Sequence, residues 1–427
     1  MDGSLLKSVL KDQAERFTKQ DPGIQREALK KVKRLAATPF AIVVSGLRRA
    51  GKSTLLSQIA QTIYHGDCYF VNFEDERLAG LMVADLDVVH QSLIELFGEK
   101  TTFLLDEIQN VPEWERFARR MIDAGYKLYI AGSNARLLDK ELGTLLTGRY
   151  VPIELFPFSF REFLRFKGEN AVYPTTLTTS QKARFARALE SYLTHGGIPD
   201  HLKYPTADWL KTIYSDVLYR DVATRFKISE TRALRELSFY LLSNIAQPTS
   251  YNKVKELVKL GSVTTVREYV DFLTSAWLFF VVNCYSPSVK KQQIAPKKVY
   301  CVDTGLVSTV AFSASANRGP LLENLVFLEL KRRVGELYYY KTANNREVDF
   351  YAPNTRLLVQ VCQSMTQQKT AEREITALQE ALEETGIHRG IILTEDFTEE
   401  SVKKTSHTID IVPITKWLLT YEEPSTV

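Results

Sequence analysis

Residues 46–54 read G-L-R-R-A-G-K-S-T and follow the apolar run Phe40-Ala41-Ile42-Val43-Val44. The pattern G-x-x-x-x-G-K-[ST] after a strand is typical of a loop whose backbone N–H groups surround a phosphate, because glycine tolerates positive φ and close backbone approach. Leu55 to Tyr64 has helical spacing, so the helix dipole also faces the anion. The predicted nucleotide-binding residues in this segment are Gly46, Arg49, Ala50, Gly51, Lys52, Ser53 and Thr54.

A phosphate loop of this kind requires a carboxylate for Mg²⁺ and a group that activates water. Lys52 is expected to contact the β- and γ-phosphates, and Ser53 to bind Mg²⁺. Phe103-Leu104-Leu105-Asp106-Glu107 ends a second apolar run with two acids. Asp106 is predicted to hold Mg²⁺ through its water shell, and Glu107 to act as general base. ATP and Mg²⁺ are therefore the expected cofactors.

Two later segments carry further candidate catalytic residues. The run Ile130-Ala131-Gly132-Ser133-Asn134 ends another strand, where a polar side chain can contact the γ-phosphate. Ser133 and Asn134 both qualify, and the sequence does not choose between them. Arg149, in Leu146-Thr147-Gly148-Arg149-Tyr150, is expected at the domain edge, where it could stabilise transition-state charge in a neighbouring subunit.

The order of segments predicts an α/β protein with a P-loop, AAA+-like parallel sheet domain. Strand-like runs alternate with helical stretches from about residue 40 to 158, which is typical of a parallel sheet with crossover helices. We expect the ATPase domain at 1–158, a helical and winged-helix-like domain at 159–310, and a mixed α/β domain at 311–427. The five predicted strands are Ala41 to Val44, Cys68 to Phe73, Thr102 to Leu105, Lys127 to Ile130 and Val151 to Leu155.

Composition narrows the class of protein. The chain has 427 residues, 44% hydrophobic and 25% charged, and Trp277 to Val282 lies in its longest apolar stretch. That run is far shorter than the ~20 residues that span a bilayer. The first residues include an acid and no apolar core of a secretory signal, so a cytoplasmic location without membrane contact is expected. The four cysteines lack the spacing of a zinc site or a disulfide framework.

The positive charge is concentrated in the middle of the chain. Residues 161–320 carry 22 Lys/Arg and 13 Asp/Glu. The segments on either side, 41–160 and 321–427, each contain more Asp/Glu than Lys/Arg. Ser250 to Leu260, Thr264 to Ser275 and Leu278 to Tyr285 read as helix, helix and strand. This order fits a winged helix-turn-helix whose second helix presents Thr265, Arg267 and Glu268 to a DNA groove, or equally a protein-packing module. Lysines around the expected wing, at positions 290, 291, 297 and 298, are candidate phosphate contacts.

Several segments together resemble a known family. Besides the loop at 46–54, they are F-L-L-D-E-I-Q, A-G-S-N-A-R-L-L, L-T-G-R-Y-V-P-I-E-L-F-P-F-S-F-R-E-F, Gly196-Gly197-Ile198-Pro199 and L-L-E-N-L-V-F-L-E-L. The chain resembles the prokaryotic AAA+-type ATPases that carry a DUF4143 domain, over nearly its whole length. The resemblance implies an ATPase domain, a helical and winged-helix middle, and a C-terminal domain similar to PD-(D/E)xK, or restriction-endonuclease-like, folds.

The resemblance also implies positions for a C-terminal metal site. Glu323 and Asp349 match two acids of a PD-(D/E)xK site, but Gln360 and Cys362 stand where that pattern has E-x-K. An amide is a poor Mg²⁺ ligand beside a carboxylate, and a thiol supplies no cation. Nuclease activity is therefore disfavoured, and a binding or docking module is the preferred interpretation.

These observations predict an ATP-hydrolysing switch or motor that forms homo-oligomers and couples nucleotide state to DNA or to a protein partner. An ATP-regulated, metal-dependent nuclease is the rival enzyme. A signalling scaffold that binds ATP and turns over slowly is the rival outside that class.

Overall fold

The computed structural model describes residues 2–133, 146, 148–311, 318–404 and 406–420. The chain divides into two compact units. The first unit comprises Met1–Pro157 and Ser275–Trp277, and the second comprises Phe158–Thr274 and Leu278–Val427.

A five-stranded parallel sheet forms the centre of the first unit, with strand order β2-β3-β4-β1-β5. Every residue of β1 and of β3 is buried, which is typical of parallel strands covered on both faces. The five strands predicted from the sequence are confirmed. They are β1 (Ala41–Ser45), β2 (Tyr69–Asn72), β3 (Thr102–Asp106), β4 (Lys127–Gly132) and β5 (Tyr150–Glu154).

Helices cover both faces of this sheet. Alternate residues of β1 enter two separate apolar clusters, Val43 with Phe103 and Ile130 on one face, and Val44 with Leu104 and Tyr129 on the other. The period-two alternation of strand side chains produces this division. The helices are α1 (Gly3–Lys19), α2 (Ala28–Leu35), α3 (Lys52–Thr62), α4 (Asp85–Phe97) and α5 (Trp114–Asp123), with 3₁₀ turns at Glu76–Leu78 and Ile108–Asn110.

Helix α1 lies along the edge strand β2. The side-chain amide of Gln13 donates to the Asn72 carbonyl oxygen over 3.0 Å and accepts from the Asn72 N–H over 2.9 Å. Phe17 stacks on Phe70 with ring centroids 3.8 Å apart. A helix side chain thus pairs with the backbone of the edge strand as a neighbouring strand would.

The second unit begins with helices and ends with a mixed sheet. Its first helices are α6 (Phe160–Phe166), α7 (Thr179–His195), α8 (Pro199–Lys203), α9 (Ala207–Asp216), a π-helical continuation (Val217–Thr224) and α10 (Thr231–Ser243). Capping boxes at Ser159 and Thr178 fix where α6 and α7 begin.

A pair of short helices follows, in the region of the expected helix-turn-helix. Helix α11 (Tyr251–Leu257) and helix α12 (Val263–Ser275) precede β6 (Phe279–Cys284), α13 (Val289–Ile294) and β7 (Lys298–Cys301). Strands β6 and β7 pair antiparallel. Thr249, just before α11, exchanges backbone hydrogen bonds of 2.8 and 2.9 Å with Lys297.

An eight-stranded mixed sheet joins this hairpin to the C-terminal region, in the order β12-β13-β11-β10-β9-β8-β6-β7. The predicted helical middle and mixed α/β C-terminal region are confirmed. The remaining elements are α14 (Thr304–Val310), α15 (Arg318–Val334), β8 (Tyr338–Lys341), β9 (Glu347–Ala352), a 3₁₀ turn (Pro353–Thr355), β10 (Leu357–Cys362), α16 (Gln368–Thr385), β11 (Arg389–Thr394), β12 (Glu400–Lys404), β13 (His407–Pro413) and α17 (Ile414–Thr420). Within the described residues, no helix combines the length and apolarity that crossing a bilayer requires.

Candidate active site

The loop between β1 and α3 depends on two glycines for different reasons. Gly51 immediately precedes α3 with φ +91°, a conformation that costs little only for glycine. Gly46 does not have positive φ, and its role is the other one expected of a loop glycine, a close backbone approach. A Cβ on Gly46 would lie 2.1 Å from the carbonyl oxygen of Leu155. Gly46 is therefore required for the close approach of the chain that follows β5.

Replacing Gly46 by alanine is expected to displace either the loop or the residues after β5. We expect a loss of about 1–3 kcal/mol in the free energy of unfolding, as for other overpacked sites, together with weaker nucleotide binding. Denaturant unfolding and titration with a fluorescent ATP analogue measure the two effects. Gly3→Ala is the control, because a Cβ at Gly3 meets nothing within 4 Å. Equal stability of the two variants would contradict the packing argument.

The loop places a cation and a hydroxyl beside the acid at the end of β3. Lys52 is buried, and its Nζ donates to the carbonyl oxygens of Gly46 and Leu47 over 3.2 and 3.1 Å. The hydroxyl of Ser53 donates to Asp106 Oδ2 over 2.5 Å. The loop after β1 and the end of β3 thus meet at the carboxyl edge of the parallel sheet, where such folds bind ligands.

Asp106 has the environment of a cation ligand. The residue is 3% exposed, and Oδ1 has no hydrogen-bond partner among the described residues. Burial raises the pKa of Asp106 to about 6, and the neighbouring Glu107 carboxylate adds to the increase. Mg²⁺ is usually bound by one or two protein oxygens together with substrate phosphates, so Ser53 and Asp106 fit Mg²⁺ bound with a nucleotide.

Glu107 is held in an unusual backbone conformation next to Ser133. Its φ is +53°, which costs of order 1–3 kcal/mol for a residue other than glycine. The carboxylate accepts from the N–H and hydroxyl of Ser133 over 3.3 and 3.4 Å, and also from the side chain of Gln109. The ends of β3 and β4 are therefore connected through the Glu107 carboxylate.

The remaining residues predicted to bind nucleotide or the γ-phosphate lie in or next to the loop, or outside the described residues. Ala50 is buried and Arg49 is exposed with φ +66°, and Thr54 lies in the first turn of α3. Asn134 lies outside the described residues, so its candidacy as the γ-phosphate contact stays a prediction.

Arg149 lies at the opposite edge of the sheet from the phosphate loop. It immediately precedes β5, and its carbonyl oxygen accepts from the N–H of Ala41 at the start of β1, over 2.9 Å. The five residues of β1 rise by about 15 Å in all, so Arg149 does not reach its own chain's loop. Its Nε is 3.1 Å from Asp123 Oδ1, and both side chains are partly exposed.

Four residues near the loop were not found by the sequence reasoning. Arg26, 3% exposed, donates to the carbonyl oxygens of Ala50 and Phe156, both over 2.7 Å. Arg48 pairs with Glu74 over 3.3 Å, and the Glu74 charge helps to raise the pKa of Asp106. The indole of Trp277 donates to the Ser45 hydroxyl over 2.9 Å. Sequence offers no signal for Arg26 or Trp277, because their partners lie far along the chain.

The predicted C-terminal metal positions lie together but are already in contact with a lysine. Lys298 Nζ lies 2.8 Å from Glu323 Oε1, 2.8 Å from Glu347 Oε1 and 3.0 Å from Asp349 Oδ1. The expectation that Lys298 faces DNA from a wing is therefore wrong. Burial by itself lowers the pKa of Lys298, but the surrounding carboxylates outweigh it and hold this pKa well above its usual value.

Neither Gln360 nor Cys362 completes that site. The amide of Gln360 donates to Glu374 over 2.7 Å and accepts from the N–H of Asp349 over 3.2 Å. The thiol of Cys362 is 3.2 Å from the carbonyl oxygen of Ser364. Burial, followed by the charge of Asp349, raises the pKa of Glu323, whereas the Lys298 ammonium and the Tyr300 hydroxyl favour its charged form. Within the described residues, no group of three or more His, Cys, Asp or Glu side chains is arranged to hold a metal ion.

Three comparisons relate the chain to known proteins. An AAA domain matches residues 38–164, and two domains of unknown function, DUF8612 and DUF4143, match residues 186–317 and 318–417. The uncharacterised protein MJ1544 of Methanocaldococcus jannaschii is 34% identical over 396 residues, which are 89% of this chain and 88% of that protein. An uncharacterised protein of Haemophilus influenzae is 32% identical over 334 residues, 74% of this chain and 80% of that protein. The solved structure of the Walker-type ATPase PABY2304 of Pyrococcus abyssi aligns with a TM-score of 0.42 and 13% identity, over 69% of this chain and 99% of that chain.

Proposed function

The chain belongs to the family of P-loop AAA-type ATPases that carry a C-terminal DUF4143 domain, and we propose that it hydrolyses ATP and couples its nucleotide state to the binding of DNA. The observation that carries the proposal is the convergence of Lys52, Ser53, Asp106, Glu107 and Ser133 at one edge of the parallel sheet. P-loop enzymes use a loop lysine on the phosphates, a hydroxyl and a carboxylate at Mg²⁺, and a residue that positions the attacking water, and the first four of these residues match those roles.

Each group has a defined role in the proposed reaction. Lys52 and the backbone N–H groups of the loop bind the phosphates. Ser53 and Asp106 would hold Mg²⁺, which when bound neutralises charge on the phosphate oxygens. Glu107 accepts a proton from the attacking water, whose oxygen bonds to the γ-phosphorus as the bond to the β–γ bridging oxygen breaks. Ser133 orients the Glu107 carboxylate through its N–H and hydroxyl. ADP and inorganic phosphate are the products.

Steady-state ATPase measurements test this proposal most directly. The rate is measured with and without duplex DNA over a wide range of protein concentrations. If the rate per chain increases with protein concentration and also on addition of DNA, the result supports an oligomeric ATPase coupled to DNA. A rate that stays very low while ATP binds tightly supports the slow-turnover scaffold instead. Cleavage of the DNA in Mg²⁺ or Mn²⁺ would support the ATP-regulated nuclease.

DNA is the favoured partner because positive charge gathers around the short helix pair of the second unit. Arg267 is exposed on helix α12. It lies close enough to Lys297 for its positive charge to lower the pKa of that lysine, although burial is the larger cause. Lys290 and Lys291 are exposed on α13 nearby in the chain. The β6–β7 hairpin and the Thr249–Lys297 pairing around α11 and α12 are the elements expected of a winged helix. Such a basic surface fits a polyanion.

Neutralising Lys290, Lys291 and Lys297 together to glutamine is expected to weaken DNA binding. The slope of log K against log salt concentration should become shallower by about 0.9 for every lysine that binds a phosphate in the natural protein. Fluorescence anisotropy at several salt concentrations measures the slope. The matched control changes Lys369, Lys403 and Lys416 to glutamine, the same charge change on C-terminal elements. Equal DNA affinity of the two triple variants would instead favour binding of a protein partner at α13. Two apolar side chains of that helix, Val289 and Ile294, are 67% and 74% exposed.

A further inference from the structure

Lys298 is buried at the centre of an acidic cluster in the second unit. It begins β7, its side chain is 1% exposed, and its Nζ is within 3.0 Å of one oxygen from each of three carboxylates. Glu323 comes from α15, and Glu347 and Asp349 come from one face of β9. An ammonium group has three N–H donors. Two of them donate to Glu323 and Asp349 over 2.8 and 3.0 Å, and Glu347 adds an ion pair over 2.8 Å.

Two of the three carboxylates also accept hydrogen bonds from groups other than the lysine. The Tyr300 hydroxyl donates to Glu323 Oε1 over 2.7 Å, and the Val361 N–H donates to Asp349 Oδ2 over 2.9 Å. Strand, helix and hydrogen bonds therefore fix two of the three acids from outside the cluster. Removing the lysine would leave the oxygens close together rather than dispersed.

A cluster of buried carboxylates requires a cation. Burying unpaired charge costs several kcal/mol per ion in real proteins. Divalent cations are held by carboxylate oxygens in the same way, and an ammonium and a metal ion cannot occupy one centre. We propose that the Lys298 ammonium takes the place of a divalent cation among Glu323, Glu347 and Asp349, so that the chain closes a latent metal site with its own side chain. The charges of this cluster are thus balanced without a metal ion.

Replacing Lys298 by methionine tests the proposal, because methionine keeps much of the side-chain length and removes the charge. We expect the variant to bind one additional Mn²⁺ per chain, since the three carboxylates then lack a cation. The affinity of this cluster for Mn²⁺ should be at least about tenfold higher in the variant than in the natural protein. Electron paramagnetic resonance of free Mn²⁺, without nucleotide, measures the binding. Thermal unfolding with and without Mn²⁺ is expected to show stabilisation of the variant only.

Two further variants locate the effect. Adding Asp349→Asn to Lys298→Met is expected to abolish the gained Mn²⁺ binding, which separates this cluster from Asp106 in the first unit. Lys416→Met breaks an ion pair with Glu399 that is partly exposed. It should leave Mn²⁺ binding at the natural level.

Two results would overturn the proposal. One is Mn²⁺ binding by the natural protein that is lost in an Asp349→Asn variant, because the cluster would then bind metal despite the lysine. The other is a folded Lys298→Met protein that binds Mn²⁺ no more tightly than the natural one. If Lys298→Met does not fold in metal-free buffer, Mn²⁺ is expected to restore the native circular dichroism spectrum, and failure to do so counts against the proposal equally.

Discussion

Changing Glu107 to glutamine is expected to reduce the rate of ATP hydrolysis by about 10²–10⁴, the usual contribution of a general base. ATP affinity should change little, because Lys52, Ser53 and Asp106 are untouched and the amide keeps the shape of the carboxylate. Phosphate release and binding of a fluorescent ATP analogue measure the two quantities separately. Glu113→Gln is a matched control, since Glu113 also has positive φ, +59°, but is exposed and pairs with Arg116. Natural hydrolysis in the Glu107 variant would refute its assignment as the base.

The companion substitution Lys52→Ala should act on binding instead. Lys52 Nζ lies within the loop, against the carbonyl oxygens of Gly46 and Leu47, and its removal takes away the cation that contacts the phosphates. We expect loss of nucleotide binding or of turnover. The contrast between a variant that loses binding and one that retains it separates the phosphate contact from the base.

Replacing Arg149 by alanine is expected to depress hydrolysis far more than ATP affinity. Arginines that act in a neighbouring subunit contribute about 10³–10⁵ in rate in well-studied NTPases. Arg149 lies at the amino edge of its own sheet, so any action on a phosphate requires a second copy of the chain. Arg119→Ala is the matched control, because Arg119 also pairs with Asp123, over 3.9 Å, and is similarly exposed.

Mixing two inactive proteins tests the shared site. Arg149→Ala supplies an intact Glu107, and Glu107→Gln supplies an intact Arg149. Mixed oligomers should therefore contain some complete sites and recover part of the activity. No recovery over a range of mixing ratios would remove the support for catalysis between subunits.

The first unit could be predicted from the sequence because its signals are local. A strand, a glycine loop and a helix are contiguous at residues 40–64, and Asp106 ends a buried strand that Glu107 directly follows. The order of the strands in the sheet and the contacts of Arg26 are not local. Arg26 donates hydrogen bonds to residues 24 and 130 positions further along the chain. Periodicity and propensity describe neighbouring residues only, so they cannot predict such contacts.

The second unit shows where a local interpretation fails. Lys297 and Lys298 read as one basic pair, but adjacent residues of a strand point to opposite faces. Lys298 is buried among acids, whereas Lys297 is only partly buried and donates to Gln292. The same rule could have found Glu347, two residues before Asp349 and on the same face of β9. The resemblance directed attention to Glu323 and Asp349 and left Glu347 unnoticed.

The pairing of Gln13 with Asn72 has a consequence for how the protein behaves in concentrated solution. An edge strand with free N–H and C=O groups is a template for intermolecular strand addition and aggregation. Helix α1 uses both backbone groups of Asn72 and covers β2 with the Phe17–Phe70 stack. The AAA match begins only at residue 38, so a chain cut to that boundary would lose this cover. The segment before the recognised domain thus protects the sheet from joining with other copies of itself.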